Sequence, residues 1–132
     1  MSDIVNRMTI RVGPVDIDSY NIVHHPQYLI WCEKAILQWM EEYAPNKERY
    51  KRNIYRYVVK KFECKFCNPA EFDDELQICV KAIKKDLTKD MLSEDRENWK
   101  FHIRIENAAT KARVIDGEFE IRIFTCDTDR KL

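Results

Sequence analysis

Along much of the chain apolar and polar residues alternate with a period of two, the mark of strands that bury one face and wet the other. Met8-Thr9-Ile10-Arg11-Val12 is the first such run, and Gly13 and Pro14 stop it. Beyond residue 60 the pattern returns four times. Phe62, Cys64 and Phe66 alternate with Glu63, Lys65 and Cys67; Leu76, Ile78, Val80 and Ala82 with Gln77, Cys79 and Lys81. Trp99, Phe101, Ile103 and Ile105 alternate with Lys100, His102, Arg104 and Glu106; Phe119, Ile121 and Ile123 with Glu118, Glu120 and Arg122. Gly117 interrupts the last run and is expected to mark a bulge or bend. The charged, aperiodic stretches 46–53 and 86–98 read as solvated connections.

Between the first strand and the rest lies one helix, predicted from Pro26 to about Tyr43. Proline in the first turn has the right φ and lacks an N–H that would be unpaired anyway, and Pro45 closes the segment. At about 100° per residue, Gln27, Lys34, Gln38, Glu41 and Glu42 share one narrow stripe. The remaining perimeter carries Tyr28, Leu29, Ile30, Trp31, Cys32, Ala35, Ile36, Leu37, Trp39, Met40 and Tyr43. A helix apolar over most of its girth is wrapped by other structure, so this one is expected at the centre. Glu33 stands about 120° from the polar stripe, either as a structural hydrogen-bonding group or as a site carboxylate. One strand, one buried helix and four or more antiparallel strands predict an α+β fold, a curved antiparallel sheet wrapped around one long helix.

Composition narrows the chemistry. The 132 residues fit a single domain, 1–132, with enough apolar material for one core. Lys plus Arg and Asp plus Glu number 23 each, so no bulk charge favours nucleic acid. With two glycines, Gly13 and Gly117, no phosphate-cradling loop and no nucleophile elbow can be written. Ser2, Ser19 and Ser93 leave little room for a serine nucleophile. Five cysteines, an odd number without a secretory apolar stretch, point to reduced thiols and a cytoplasmic protein. No apolar run approaches the roughly 20 residues of a membrane span.

Cys64-x-x-Cys67 lacks the second ligand pair of a structural zinc site, and on a strand the two thiols would face opposite ways. His102, on the polar side of its strand, reads as an exposed strand histidine. The informative segment is Asp16-Ile-Asp-Ser-Tyr-Asn-Ile-Val-His-His-Pro-Gln-Tyr-Leu-Ile-Trp31. It brings carboxylates and two histidines to a helix N-terminus, where unpaired N–H groups and about half a positive charge can bind an oxyanion. A carboxylate nearby could attack a carbonyl or activate water; equally, Asp16 and Asp18 could be loop and helix-end charges.

This segment resembles the signature of hot-dog-fold acyl-CoA thioesterases of the 4-hydroxybenzoyl-CoA type, including their Tol-Pal-associated branch. The pattern is roughly D-x-D-x-x-G-x-V-x-[YH]-x-x-Y-x-x-W, matched by Asp16, Asp18, Val23, His25, Tyr28 and Trp31. Asn68-Pro-Ala-Glu-Phe-Asp-Asp-Glu-Leu76 is similar to the family's turn between strands. Cys79-Val-Lys-Ala-Ile-Lys-Lys85 resembles its next strand, which ends at the CoA-binding surface. The resemblance implies a hot-dog fold with Asp18 as the catalytic carboxylate, acting as nucleophile or general base. It implies that the backbone N–H of His25 polarises the thioester carbonyl, and that its side chain binds the acyl group or orients water. Lys84 and Lys85 would meet the CoA phosphates. It implies a homodimer or homotetramer, with no metal or organic cofactor.

The sequence departs from the pattern at Asn21, in place of the loop glycine; asparagine tolerates positive φ better than most residues. Pro14 stands where an aromatic is common, and His24 replaces another. The stretch 86–98 is longer than the usual connection and would cover the site or decorate the sheet. The resulting expectation is a cytoplasmic, homo-oligomeric hydrolase that splits an acyl-CoA into acid and CoA, binding neither nucleic acid nor membrane. A thioesterase acting on acyl-carrier protein and a non-catalytic acyl-binding hot-dog module are the alternatives.

Overall fold

The computed structural model describes residues 5–44, 47–52, 54–89 and 95–126. Strand β1 (Val5–Arg11) leads through a 3-10 turn at Pro14–Asp16 and a short loop into helix α1 (His25–Glu42). A six-residue helix α2 (Lys47–Arg52) follows, then β2 (Ile54–Phe66), β3 (Glu75–Lys89), β4 (Asp95–Asn107) and β5 (Arg113–Cys126). All five strands form one antiparallel sheet in the order β1-β3-β4-β5-β2. The α+β layout expected from the alternation is therefore the observed one.

The core lies between one face of α1 and the inner face of the sheet. The helix buries Tyr28, Trp31, Cys32, Ala35, Ile36, Trp39 and Met40, a stripe at three- and four-residue spacing. Against it stand Leu76, Ile78 and Val80 of β3, Trp99, Phe101, Ile103 and Ile105 of β4, and Phe119, Ile121 and Ile123 of β5. Trp39 meets Trp99 and Phe101 edge-on, at 5.1 and 5.2 Å between centroids. Asn6, buried on β1, donates to Ala35 O at 3.2 Å and Gln38 Oε1 at 2.9 Å, tying the edge strand to the helix.

Burial along α1 is narrower than its composition implies. Leu29 and Leu37 are half-buried, and Ile30 and Tyr43 remain 47% and 40% exposed. The helix lies on one side of the sheet, so one stripe is covered within the chain, and an apolar flank is left beside β2.

Four expectations are corrected. The stretch 46–53 contains α2, whose Tyr50 is buried and donates its hydroxyl hydrogen to the buried Glu97. The stretch 86–98 is no connection: β3 runs to Lys89 and β4 begins at Asp95, with Lys89 opposite Asp95, and residues 90–94 lie outside the described residues. The period there is broken by a bulge between Ala82 and Lys84, where Ile83 is half-exposed. A second bulge, between Val59 and Lys61, puts Val59 and Phe62 opposite the buried Ile121 and Phe119, three residues apart on one face. That shift hid the first half of β2. Finally, Gly117 sits in unbroken register, opposite Cys64 on β2 and Ile103 on β4.

What requires glycine at 117 is a close approach, not a bend. A Cβ there would lie 2.5 Å from Glu63 O and 2.7 Å from Cys64 Cβ, contacts that backbone must move to relieve. At Gly13 the nearest atom would be Asp16 Oδ2 at 3.5 Å, an ordinary contact. Gly117→Ala is expected to cost about 1–3 kcal/mol, the range of core overpacking, and Gly13→Ala less than about 0.5 kcal/mol. Urea midpoints of the two variants check this; equal midpoints would refute the close-approach account.

Candidate active site

The loop before α1 folds back on itself as a miniature hairpin. Ile17 bridges Val23, Asp18 N donates to Ile22 O at 2.9 Å, and His24 N donates to Asp16 O at 3.0 Å. Asn21 makes the reversal with φ of 66°, the left-handed conformation a glycine would otherwise supply. Asp18 braces that turn through Oδ1, which accepts from Tyr20 N at 2.8 Å and Ile22 N at 3.4 Å. This leaves Oδ2 outside the turn. Asp16 is spent locally, its Oδ2 accepting from Gly13 N at 2.8 Å.

The pairing puts Asp16 level with His24 and Asp18 level with Ile22. Asp18 thus stands towards the tip of the loop, three positions back from His25, and the two side chains share no hydrogen bond.

Helix α1 begins at His25, one residue earlier than expected, with Pro26 second; His24 is the N-cap residue but makes no side-chain cap. His24 N is engaged by Asp16, Pro26 has no N–H, and Gln27 N donates to His24 O at 3.0 Å. Among the described residues, the amide left at this positive helix end is that of His25.

The second motif closes the site from the other side. Val23 N donates to Ala70 O at 2.9 Å, Ala70 N donates to Tyr28 Oη at 3.1 Å, and Ile22 bridges Glu71. Burial raises the Tyr28 phenol above its usual range, helped by the Asp74 charge and opposed by the Ala70 hydrogen bond. Between these elements lies a cleft of about 210 Å³ lined by Ile22, Val23, His25, Tyr28, Phe66, Cys67, Asn68 and Pro69. The His25 ring stacks on Phe66, with centroids 4.5 Å apart and planes 16° apart, and Phe66 leans on Tyr28 at 5.7 Å.

Of the residues singled out from sequence, His25 lines this cleft and Asp18 belongs to the adjoining loop. Lys84 and Lys85 are not at a strand end but inside β3, opposite Lys100 and Trp99. Glu33 takes the structural role among its two readings: Tyr57 Oη donates to its Oε2 at 2.8 Å, and burial followed by this carboxylate raises the Tyr57 phenol. His102 lies on the outer face, its Nε2 2.5 Å from Asp116 Oδ1. Cys32, on the buried face of the helix, has its thiol pushed up to about 12 by burial, then by the neighbouring Cys64 and Glu33, which makes it a packing group and not a nucleophile. Among the described residues no group of three or more His, Cys, Asp or Glu could hold a metal ion, and no helix is long and apolar enough to cross a membrane. Sequence reasoning missed Phe66, Asn68 and Pro69 as cleft residues. The alternation marks Phe66 as inward-facing but carries no signal of which helix end it meets.

A fold of this kind recurs in solved structures. A probable thioesterase from Bartonella henselae is 19% identical with a TM-score of 0.70, over 96% of this chain and 94% of that one. YbaW, a probable thioesterase from Escherichia coli, is 18% identical with a TM-score of 0.72, over 96% and 88%. A hypothetical thioesterase from Streptococcus pneumoniae, solved with coenzyme A, is 13% identical with a TM-score of 0.69, over 94% and 81%. These likenesses establish the hot-dog architecture of the curved sheet and its helix. No curated protein matches the chain. The model of the thioesterase-like superfamily matches residues 12–132, which include the Asp18 loop, the helix end and the turn that closes the cleft, and the chain belongs to that superfamily.

Proposed function

We propose that the protein hydrolyses an acyl-CoA thioester to the free acid and CoA. The observation that carries this is the His25 amide at the positive end of α1, the helix whose first residue lines an apolar cleft beside the Asp18 loop. A thioester carbonyl in the cleft would direct its oxygen to that N–H, which binds it more strongly as negative charge develops. Asp18, through the oxygen outside its own turn, either attacks the carbonyl carbon or takes a proton from an attacking water. If Asp18 attacks, the C–S bond breaks to leave a mixed anhydride on Asp18, which a water then hydrolyses to the free acid and the free carboxylate. If Asp18 acts as base, the water oxygen bonds to the carbonyl carbon as the C–S bond breaks. In both routes the CoA thiolate leaves and takes up a proton. The His25 side chain binds the acyl group or orients water. No metal or organic cofactor is needed for these steps. Coenzyme A bound to the pneumococcal structure supports CoA as the carrier. Activity on an acyl-carrier-protein thioester with none on the CoA ester would select the other carrier.

The half-buried flank of α1 (Leu29, Ile30 and Leu37) beside Tyr57, Val59 and Phe62 of β2 supports a homo-oligomer, a dimer or a tetramer. A second copy would cover this surface with the Asp18 loop at or near the interface. Sedimentation at micromolar concentration is expected to give a dimer or larger; a stable folded monomer would refute it.

With a panel of acyl-CoAs and thiol release as the readout, Asp18→Asn is expected to keep the fold and lower kcat by roughly 10²–10⁴. Asp16→Asn should do much less, because its carboxylate braces the turn at Gly13. Normal turnover in the Asp18 variant would overturn the assignment.

The resemblance of the Cys79–Lys85 strand to the family's CoA-side strand is what supports Lys84 and Lys85 as contacts of the CoA phosphates, far from the reacting carbonyl. Replacing both by Ala should raise KM and leave kcat almost unchanged, since such contacts hold ground and transition states alike. The loss should shrink in high salt and vanish with the matching acyl-pantetheine, which has no nucleotide phosphates. Equal losses on both substrates would move the CoA surface elsewhere.

A further inference from the structure

Phe66 is the last residue of β2, opposite Ile115, and 46% of its surface is exposed. A phenylalanine left half in water contributes less to the core than its size allows. Among the described residues, its two ring contacts are with residues at the start of α1. It covers one face of the His25 imidazole in a near-parallel stack, and it leans on Tyr28 at an interplanar angle of 58°. Tyr28 is itself immobilised by burial, by the Ala70 N–H on its hydroxyl and by edge-on contact with Trp31 at 5.7 Å.

His25 has no such anchorage of its own. It is exposed, and as the first residue of the helix it has no preceding turn to restrict its rotamers. Phe66, by contrast, is carried on a strand paired to β5, and the next residue continues the tie through Cys67 N to Val114 O at 2.9 Å. A ring carried on a paired strand thus faces one at an exposed helix start, across the wall of the same cleft.

We propose that Phe66 is a positioning residue: its ring face holds the His25 imidazole in one orientation against the cleft wall. The inference rests on the reading of this cleft as the thioester site with His25 in it. It adds a strand residue, distant in sequence, on which the alignment of that histidine depends. An aromatic pair favours its stacked geometry by a factor of roughly three to ten, and misalignment of a group acting in the transition state appears in kcat rather than in KM.

The test compares Phe66→Leu, which keeps apolar bulk but loses the flat face, with Phe66→Tyr, which keeps it. Phe66→Leu is expected to lower kcat about three- to tenfold with KM within about twofold, and Phe66→Tyr to restore the parental rate. In a His25→Ala background Phe66→Leu should cost nothing further, since its effect passes through the histidine. Independently of turnover, the imidazole protons of His25 should resonate upfield of those of His24 in NMR spectra. They should return towards free-imidazole positions in Phe66→Leu but not in Phe66→Tyr. Unchanged His25 signals in Phe66→Leu, or an undiminished loss in the His25→Ala background, would overturn the proposal. Full turnover in His25→Ala alone would overturn the role of the His25 side chain and with it the functional half of this inference. The reading of the cleft, which rests on the backbone N–H that alanine keeps, is tested by Asp18→Asn, and the NMR signals report the contact separately.

Discussion

Ala70 carries the junction on which the site depends. Its carbonyl accepts the Val23 N–H and its own N–H is bound by the Tyr28 hydroxyl, so one buried residue holds both the loop before α1 and the first turn of the helix. Backbone groups buried at such a seam must be paired or they destabilise the fold. The same turn is stitched to β1, where Asp73 N donates to Val12 O and Val12 N to Asp74 O, both at 2.9 Å. The helix end, the acidic loop and the start of β3 therefore have one relative placement, and the cleft is the space left between them.

The sheet separates two kinds of surface. Its inner face packs on α1, and its outer face carries ion pairs such as Lys100 with Glu118 across strands and Arg113 with Asp116 along β5. These outer pairs are exposed and contribute little stability individually. Buried polar groups on the inner side carry more weight. Glu97, 1% exposed, accepts from Tyr50 and from Trp99 Nε1 at 3.1 Å, so α2 is fastened over the far end of the sheet by hydrogen bonds that cannot be exchanged for water. The site lies at the opposite end of α1 from this polar anchor.

Within this frame the two loop aspartates have unlike duties. Asp16 completes the 3-10 turn after Gly13, while Asp18 commits one oxygen to the Asn21 reversal and keeps the other outside it. The Asp-x-Asp spacing is thus a local folding device as well as a carrier of charge. The carboxylate spent on the turn is a poor candidate for chemistry, whichever route the reaction takes.

How much of this was legible depends on the range of the interaction. The strand cores and α1 follow from the chain alone, because side-chain alternation is decided within a few residues, and the left-handed reversal at Asn21 was legible through the loop glycine it replaces in the resembled pattern. The two motifs were also legible one at a time. Reading failed where the pattern loses phase or where an element is polar. The bulges at Val59/Lys61 and Ala82/Lys84 shift the apolar period, and a strand paired on both sides, as β4 is before Trp99, needs no alternation to persist. Gly117 reads as a bend in sequence because its requirement comes from Glu63 and Cys64, more than fifty residues away. The chain by itself determined which residues face inwards and which loop bears the acids. That Ala70 meets Tyr28, and Phe66 meets His25, was decided only by the tertiary structure, since strand order and register bring distant residues together and leave no local trace in the sequence.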